Sequence, residues 1–140
     1  MYTFREMTIK DYQEVISLWS NTDGMGIGES DSEVEISKYL SRNSGHSFVC
    51  EYNEKIVGTV LCGHDGRRGY IYHVAVLDSH RNNGIGKTLL SKSLGSLIDI
   101  GILKCHLMVF ESNKSGNEFW EHMGWKRRDD ILIYSKTMKS

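Results

Sequence analysis

The stretch GYIYHVAVLDSHRNNGIGKTLL, residues 69–90, decides the fold of this chain. Residues 70–76 carry β-branched or aromatic side chains at most positions, which predicts a strand. From Ile85 onward the apolar residues recur at helical spacing. Residues 78–83, between the two patterns, contain no apolar side chain. The stretch therefore predicts a strand that enters a helix through a polar, glycine-containing turn.

This turn has the chemistry of an anion site. The first amides of a helix have no partner within the helix, and the helix dipole favours negative charge beside them. Gly84 and Gly86 carry no Cβ, so a phosphate can approach the backbone closely. We therefore expect a phosphorylated ligand at this turn.

Composition and charge limit the function classes. The 140 residues suffice for one domain with a core, and a net charge of −1 gives no reason to expect nucleic-acid binding. No apolar run approaches the ~20 residues of a transmembrane helix, and the N-terminus has no signal-peptide pattern. Cys50, Cys62 and Cys105 lie in apolar runs and predict reduced thiols in a cytoplasmic protein. The histidines show no ligand spacing, so no metal is expected.

Periodicity and turn signals predict the other elements. Strands are predicted at residues 2–6, 47–52, 55–62, 70–76, 103–110, 125–126 and 131–136. Helices are predicted from about 12 to 20, 33 to 40, 84 to 100 and 115 to 123, with Ser30 and Ser115 as caps of the second and fourth. The strand–helix–strand crossover makes its two strands parallel neighbours. The expected fold is α/β, with a mixed, mostly antiparallel sheet of six to seven strands flanked by about four helices.

Three glycine motifs compete for the turn. A P-loop needs glycine where Arg81 stands. A dinucleotide fingerprint needs glycine where Leu89 stands. The third template, R/Q-x-x-G-x-G/A, fits residues 81–86, RNNGIG, in full.

With its strand and helix, this motif resembles that of the GNAT N-acetyltransferase superfamily. A helix pair, a three-strand meander, the crossover, the Ser112-Asn113 turn and residues 119–125, FWEHMGW, follow in that family's order. Residues 58–69, GTVLCGHDGRRG, look like a bacterial subgroup of single-domain, YpeA-type acetyltransferases. The resemblance covers nearly the whole chain and implies one GNAT-like acetyltransferase domain over residues 1–140.

The resemblance implies acetyl-CoA as the donor and an amine of a small molecule or protein as the acceptor. It implies no membrane or nucleic acid, and a homodimer is compatible with it. In the family, pantetheine pairs with the strand before the turn and pyrophosphate binds the turn's amides. The residues so implied in cofactor binding are Val74, Ala75, Val76, Arg81, Asn82, Asn83, Gly84, Ile85, Gly86, Lys87, Asn113 and Trp120. Arg81 either braces the loop or meets the phosphates, and Trp120 either packs in its helix or lines the thioester pocket.

Acetyl transfer needs a neutral amine, a polarised carbonyl and a protonated leaving thiolate. An amine with a pKa of ~10.4 is almost fully charged at neutral pH, so a base is useful. The amide of Val76 is expected to polarise the carbonyl. Family members often carry tyrosine where Trp120 stands, and some use glutamate where Met108 stands. The proton-transferring residue therefore stays open among the candidates Glu111, Tyr72, His73 and Tyr134.

The acceptor side is less defined. Glu29, Asp31, Glu33 and Glu35 lie beside a glycine-rich loop, where they either attract a cationic amine or simply suit a helix N-terminus. The second interpretation is favoured. The leading hypothesis is an acetyl-CoA-dependent N-acetyltransferase that transfers acetyl directly to a primary amine. The alternative is a CoA-binding sensor or interaction module without turnover.

Overall fold

A computed structural model describes residues 1–138 and divides the chain into two compact units. The first unit ends at Met108 and the second begins at Val109. The first holds the whole described sheet and three α-helices, α1 Tyr12–Ser20, α2 Glu33–Arg42 and α3 Ile85–Asp99. The second holds one α-helix, α4 Lys114–His122.

The sheet has five strands in the order β1-β2-β3-β4-β5. Neighbouring strands are antiparallel except β4 and β5, which are parallel. Their bounds are β1 Tyr2–Glu6, β2 Phe48–Tyr52, β3 Lys55–His64, β4 Gly69–Val76 and β5 Cys105–Leu107. The predicted α/β class, the mixed sheet and the crossover through α3 are confirmed.

The strand count differs from the prediction. The described residues 125–138 form no strand, so five strands replace the expected six to seven. Here Arg127 Nε donates to Asp129 Oδ1 at 2.7 Å and Arg128 Nε to Asp130 Oδ1 at 2.9 Å. These contacts join side chains two residues apart and supply no ladder between strands, so the apolar pattern alone does not make a hairpin.

Two helix caps also differ from the prediction. Ser30 lies inside a short 3₁₀ turn, Glu29–Asp31, and Ser32 caps α2 by accepting from the Glu35 amide at 3.3 Å. Asn113, rather than Ser115, caps α4 by accepting from the Gly116 amide at 3.0 Å. In both cases the cap is a neighbouring polar residue of equal capping ability, so composition alone cannot choose between them.

Helices cover both faces of the sheet. Thr59 of β3 contacts Trp19 of α1, whereas a Cβ on its neighbour Gly58 would meet Ile85 and Leu89 of α3. Successive strand residues point to opposite faces, so α1 and α3 lie on opposite sides. The core on the α1 and α2 side comprises Met7, Val15, Leu18, Trp19, Ile36, Val49, Ile56, Leu61 and Ala75.

Two further predictions concern the class of protein. Cys50 and Cys62 are buried free thiols and Cys105 is a partly buried one. Within residues 1–138, no helix combines the length and the apolar character that crossing a membrane would require.

Candidate active site

The second half of β4 contains a β-bulge. Thr59 of β3 lies opposite Ala75, but Leu61 lies opposite Tyr72, so β4 has one more residue than β3 over this interval. His73, within the extra interval, has a φ of 45°, in the left-handed region that few non-glycine residues adopt. A bulge re-aims side chains and is often found beside functional sites.

The bulge places two consecutive residues on one face of the sheet. The Tyr72 ring lies 6.1 Å from that of Tyr39 of α2, and the His73 ring lies 4.6 Å from that of Trp19 of α1. In a regular strand, neighbouring side chains would point to opposite faces. Two of the predicted catalytic candidates are thereby brought together beneath the α1 and α2 layer.

A buried hydrogen-bond relay holds the bulge. Trp19 Nε1 donates to Thr59 Oγ1 at 2.9 Å, and the Thr59 hydroxyl donates to the His73 carbonyl oxygen at 3.1 Å. Trp19 and Thr59 are fully buried. The relay gives the His73 carbonyl oxygen a buried donor at the irregular point of the strand.

The His73 side chain also contacts the short turn before α2. Its Nε2 lies 2.7 Å from Asp31 Oδ1, and both side chains are largely buried, with 14% and 7% of their surfaces exposed. The other carboxylate oxygen of Asp31 accepts from the Gly28 amide at 3.0 Å. The Tyr12 hydroxyl donates to the Asp31 carbonyl oxygen at 2.6 Å. The short turn before α2 is therefore tied to the bulge of β4.

Beyond the bulge, β4 has a free edge. It pairs with β5 only through Gly69, Tyr70 and Ile71, so residues 72–76 have no strand partner on that side among the residues the structure describes. The Leu77 amide donates to the Val57 carbonyl oxygen on the β3 side at 2.9 Å. Because successive amides alternate between the two edges, the Val76 amide points toward the free edge. An extended ligand can pair there.

The turn after β4 presents unused amides. Asn82 and Gly84 have φ values of 66° and 74°, and α3 starts at Ile85. The first backbone bond into this helix is from the Thr88 amide to the Gly84 carbonyl oxygen at 3.0 Å. Within the described chain, none of the amides of residues 82–87 donates a hydrogen bond. Such a row of donors at a helix N-terminus forms an anion-binding concavity.

Side chains around the turn hold it in place. His80 Nδ1 lies 3.0 Å from the Tyr2 hydroxyl oxygen of β1, and its ring packs on Tyr52 of β2 at 5.1 Å. Arg81 Nε donates to the Val76 carbonyl oxygen at 3.4 Å and its NH2 nitrogen pairs with Asp78 at 3.1 Å. Arg81 is thus engaged with the backbone and an acid next to the turn.

A close approach of backbone and helix sets the position of the turn. Ile85, the first helical residue, is 2% exposed. A Cβ built on Gly58 of β3 would lie 2.8 Å from Ile85 Cγ2 and 3.2 Å from Leu89 Cδ1. The missing side chain at Gly58 lets the N-terminus of α3 lie directly on the sheet.

Burial raises the pKa of one tyrosine hydroxyl and two thiols in the first unit. Burial, with a smaller effect of Tyr70, raises the pKa of the Tyr72 hydroxyl above its ordinary value. Tyr72 is therefore a hydrogen-bond donor at neutral pH. Burial likewise raises the pKa of Cys50 to about 11 and that of Cys62 to about 12. These thiols are not nucleophiles at neutral pH.

The remaining predicted residues lie in the second unit. The Glu111 side chain is 93% exposed and lies 3.9 Å from Arg127. Asn113 caps α4. The Trp120 ring packs between Phe119 and Trp125, with centroids 5.1 and 5.2 Å away. Tyr134 is 90% exposed. The roles predicted for these four residues stay predictions.

No sequence signal indicated that Trp19, Thr59 and Asp31 would meet at the bulge. Trp19 and Thr59 have no motif, and Asp31 was one acid among four near a loop. Their contacts depend on the register of β4 against β3, which a single sequence does not reveal. The positive φ of His73 has no sequence signal either, because glycine and asparagine are the residues expected there.

Comparison with known proteins agrees with this geometry. Residues 12–125 match the Acetyltransferase (GNAT) family. The chain is 34% identical over 123 residues to Acetyltransferase ECA0875 of Pectobacterium atrosepticum, covering 88% of this chain and 86% of that relative.

Two solved structures are similar in fold. The PaiA N-acetyltransferase of Thermoplasma acidophilum, in complex with coenzyme A, has a TM-score of 0.82 at 18% identity over 94% of this chain and 93% of the other. The aminoglycoside acetyltransferase meta-AAC0020 from an uncultured soil metagenomic sample, in complex with sisomicin, has a TM-score of 0.76 at 18% identity over 99% and 97%. By its sequence match along most of its length, this chain belongs to the GNAT family of acetyltransferases.

Proposed function

We propose that the protein is an acetyl-CoA-dependent N-acetyltransferase that transfers acetyl directly from the thioester to a primary amine. The observation that carries the proposal is the row of free amides at residues 82–87, directly after a strand with a free edge. The amides suit the diphosphate of CoA, and the edge suits an extended pantetheine arm. A relative in fold was solved with coenzyme A.

The cofactor residues keep the roles expected from the resemblance. The backbone of Val74, Ala75 and Val76 pairs with pantetheine, and the Val76 amide polarises the thioester carbonyl. The pyrophosphate binds the amides of residues 82–87. Arg81 braces the turn through the Val76 carbonyl and Asp78. Asn113 and Trp120 contact the CoA chain and the thioester region.

Direct transfer of acetyl from the thioester to the amine is favoured over transfer through an acetylated cysteine of the enzyme. Cys50 and Cys62 are fully buried, and burial raises the pKa of Cys105 to about 11. No described cysteine thus offers a thiolate at neutral pH, so the amine itself attacks the thioester. Three unpaired thiols also suit the reducing cytoplasm.

The acceptor is an amine of open identity. A fold relative was solved with the aminoglycoside sisomicin, and another carries the name PaiA N-acetyltransferase. We therefore test sisomicin, together with spermidine and a peptide with an N-terminal alanine as two other kinds of primary amine, and follow release of the CoA thiol from acetyl-CoA. Release with any of them supports the proposal. Tight CoA binding without release from any amine favours a CoA-binding module without turnover.

A matched pair of glycine variants tests the cofactor site. Gly84 and Gly101 flank α3 with φ values of 74° and 87°, and a Cβ on either meets no atom within 4 Å. Both alanine variants thus carry similar backbone strain of about 1 kcal/mol. Only Gly84→Ala places a methyl group where the phosphate would lie. By calorimetry, Gly84→Ala should weaken CoA binding about tenfold or more, and Gly101→Ala should not.

Two outcomes would overturn the proposal. Wild-type protein that binds no CoA at millimolar ligand has no donor site. Equal loss of CoA affinity in Gly84→Ala and Gly101→Ala would mean that the helix, rather than the turn, supports binding.

A further inference from the structure

We propose that Nδ1 of His73 accepts the proton of the acceptor amine and that Asp31 positions the imidazole for this step. The inference rests on the proposed N-acetyltransferase function and assigns its general base. It follows from the contact between the turn before α2 and the bulge of β4, which no sequence motif marks.

The Asp31 contact determines which imidazole nitrogen is available. Nε2 of His73 lies 2.7 Å from Asp31 Oδ1. A carboxylate can only accept, so Nε2 carries the hydrogen and Nδ1 carries the lone pair. Asp31 is itself held by the Gly28 amide and by the Tyr12 hydroxyl. Carboxylate and imidazole therefore form an oriented pair of the kind that supports general-base catalysis.

Nδ1 of His73 is open to a ligand. No described residue forms a hydrogen bond with it, since the His73 side chain bonds only through Nε2. Among the described residues, no buried side-chain nitrogen or oxygen lacks a partner. It follows that Nδ1 is not buried and that the 14% exposure of this side chain includes it.

The position of His73 suits the reaction. It directly precedes Val74, the first of the residues expected to pair with pantetheine. The bulge turns its side chain to the α1 and α2 side, where the turn at Asp31 lies. His73 thus links the strand proposed to bind pantetheine with the short turn that holds Asp31. Its φ of 45° is backbone strain of the kind that clusters at functional sites.

Acetyl transfer by this route needs no reactant besides acetyl-CoA, the amine and water. The ammonium form of the acceptor gives one proton to Nδ1, which becomes part of an imidazolium paired with Asp31. The neutral nitrogen forms a bond to the thioester carbon. As the tetrahedral intermediate collapses, the C–S bond breaks and the thiolate takes the second proton from nitrogen. The products are the amide and CoA thiol, and the imidazolium returns its proton to water.

The elements packed around the His73 ring contribute both ionisable and non-ionisable groups. Asp31 faces the ring from the short turn, Tyr12 reaches the Asp31 carbonyl from α1, and Glu33 of α2 acts on Tyr12. The groups nearest on β3 and α1, Thr59 and Trp19, do not titrate. Among these groups, Asp31 is therefore the acid in direct contact with the ring.

The test compares a basic and a weakly basic amine. Release of CoA thiol is followed with spermidine, which is charged at neutral pH, and with hydroxylamine, which is already largely neutral. His73→Gln should lower kcat/KM about 10²-fold for spermidine and much less for hydroxylamine. Asp31→Asn should give the same selectivity between the two amines with a smaller loss, whereas Glu54→Gln, at an exposed carboxylate in the turn between β2 and β3, should act as wild type.

The results of these measurements test the role of His73 as the base separately from the proposed acetyltransferase function. Wild type that is inactive with both amines overturns the proposed function and the base with it. If the wild type is active and His73→Gln loses kcat/KM equally with both amines, or with neither, the assignment of the base alone is overturned. Nitrogen NMR of the wild-type histidines needs no acceptor or variant. It should show the Nε2–H tautomer of His73, and the Nδ1–H tautomer would contradict the proposal.

Discussion

The two halves of β4 differ in their pairing and in what their backbone can bind. In the first half, Gly69 to Ile71 pair with β3 on one side and with β5 on the other. In the second half, residues 72–76 pair with β3 alone, through a bulge, and keep a free edge. We call these the closed half and the open half of β4.

The difference shows how one strand supplies both a scaffold and a site. Backbone groups in the closed half are used up by the two neighbouring ladders, so they can hold the sheet but not a ligand. In the open half the bulge diverts the strand, and backbone donors and two side chains become available. The cost is an irregular backbone at His73, which the Trp19–Thr59 relay offsets.

A pair of glycine variants should separate the halves most strongly. A Cβ on Gly69 would lie 2.5 Å from Leu97 Cδ1 and 3.3 Å from Cys105 Sγ, so Gly69→Ala overpacks the closed half. Gly58→Ala would push on Ile85 beneath the turn. Each should lower the free energy of unfolding by roughly 1–3 kcal/mol in urea titrations. Only Gly58→Ala should also weaken CoA binding, measured by calorimetry on the folded protein.

If both glycine variants weakened CoA binding alike, the closed and open halves would not differ in their effect on the proposed CoA site. That result would mean that α3 moves as one body on the sheet and that the closed half also places the turn.

The relay beneath the bulge offers the next largest effect. Thr59→Val keeps the shape of the side chain but leaves the Trp19 indole N–H and the His73 carbonyl without their partner. Each buried group left unsatisfied costs about 1–3 kcal/mol. We expect lower stability in urea and a larger loss of kcat/KM than of CoA affinity, because the His73 side chain shifts.

Thr59→Ser is the matched control for this relay. It retains the hydroxyl and should retain the ratio of kcat/KM to CoA affinity. A Thr59→Val enzyme with unchanged kinetics would show that the bulge needs no support from the relay.

The smallest effect is a pH dependence at the closed half. Burial, and then the neighbouring His64, lower the pKa of His46 below its ordinary value of 6.5. His64 lies opposite Gly69 at the start of β4. The unfolded chain therefore binds a proton that the folded chain resists. The contribution of neutral His46 to the free energy of unfolding should be fully present above pH 6.5. It should be lost as the pH drops through the folded pKa of His46.

Urea midpoints measured at several values between neutral pH and about pH 5 check this sign. His46→Gln can still donate to Ser96 Oγ, which lies 2.7 Å from Nδ1 and gives its own hydrogen to the Ser93 carbonyl oxygen, and this variant should flatten the dependence. An unchanged slope in that variant would assign the pH response to other groups.

Local patterns predicted most of the architecture. The strands around Asn53-Glu54 and Asp65-Gly66, the long helix after Gly84 and the crossover all have signals within a few residues of the chain. The pattern failed at residues 131–136, where a strand needs a partner that apolar composition does not supply. It also failed to choose between adjacent caps, because Ser30 and Ser32 have the same capping chemistry.

The sequence alone determined that a strand, a polar turn and a helix N-terminus meet at residues 69–90, where we propose the anion site. Spacing along the chain suffices for this, since glycine positions and free helix amides are local properties. Tertiary structure decided which side chains gather at the bulge of β4 that precedes this turn. The bulge at His73, its contact with Asp31 and the relay through Trp19 depend on the register between strands and on helix packing. Register is a relation between distant segments, and only the folded chain expresses it.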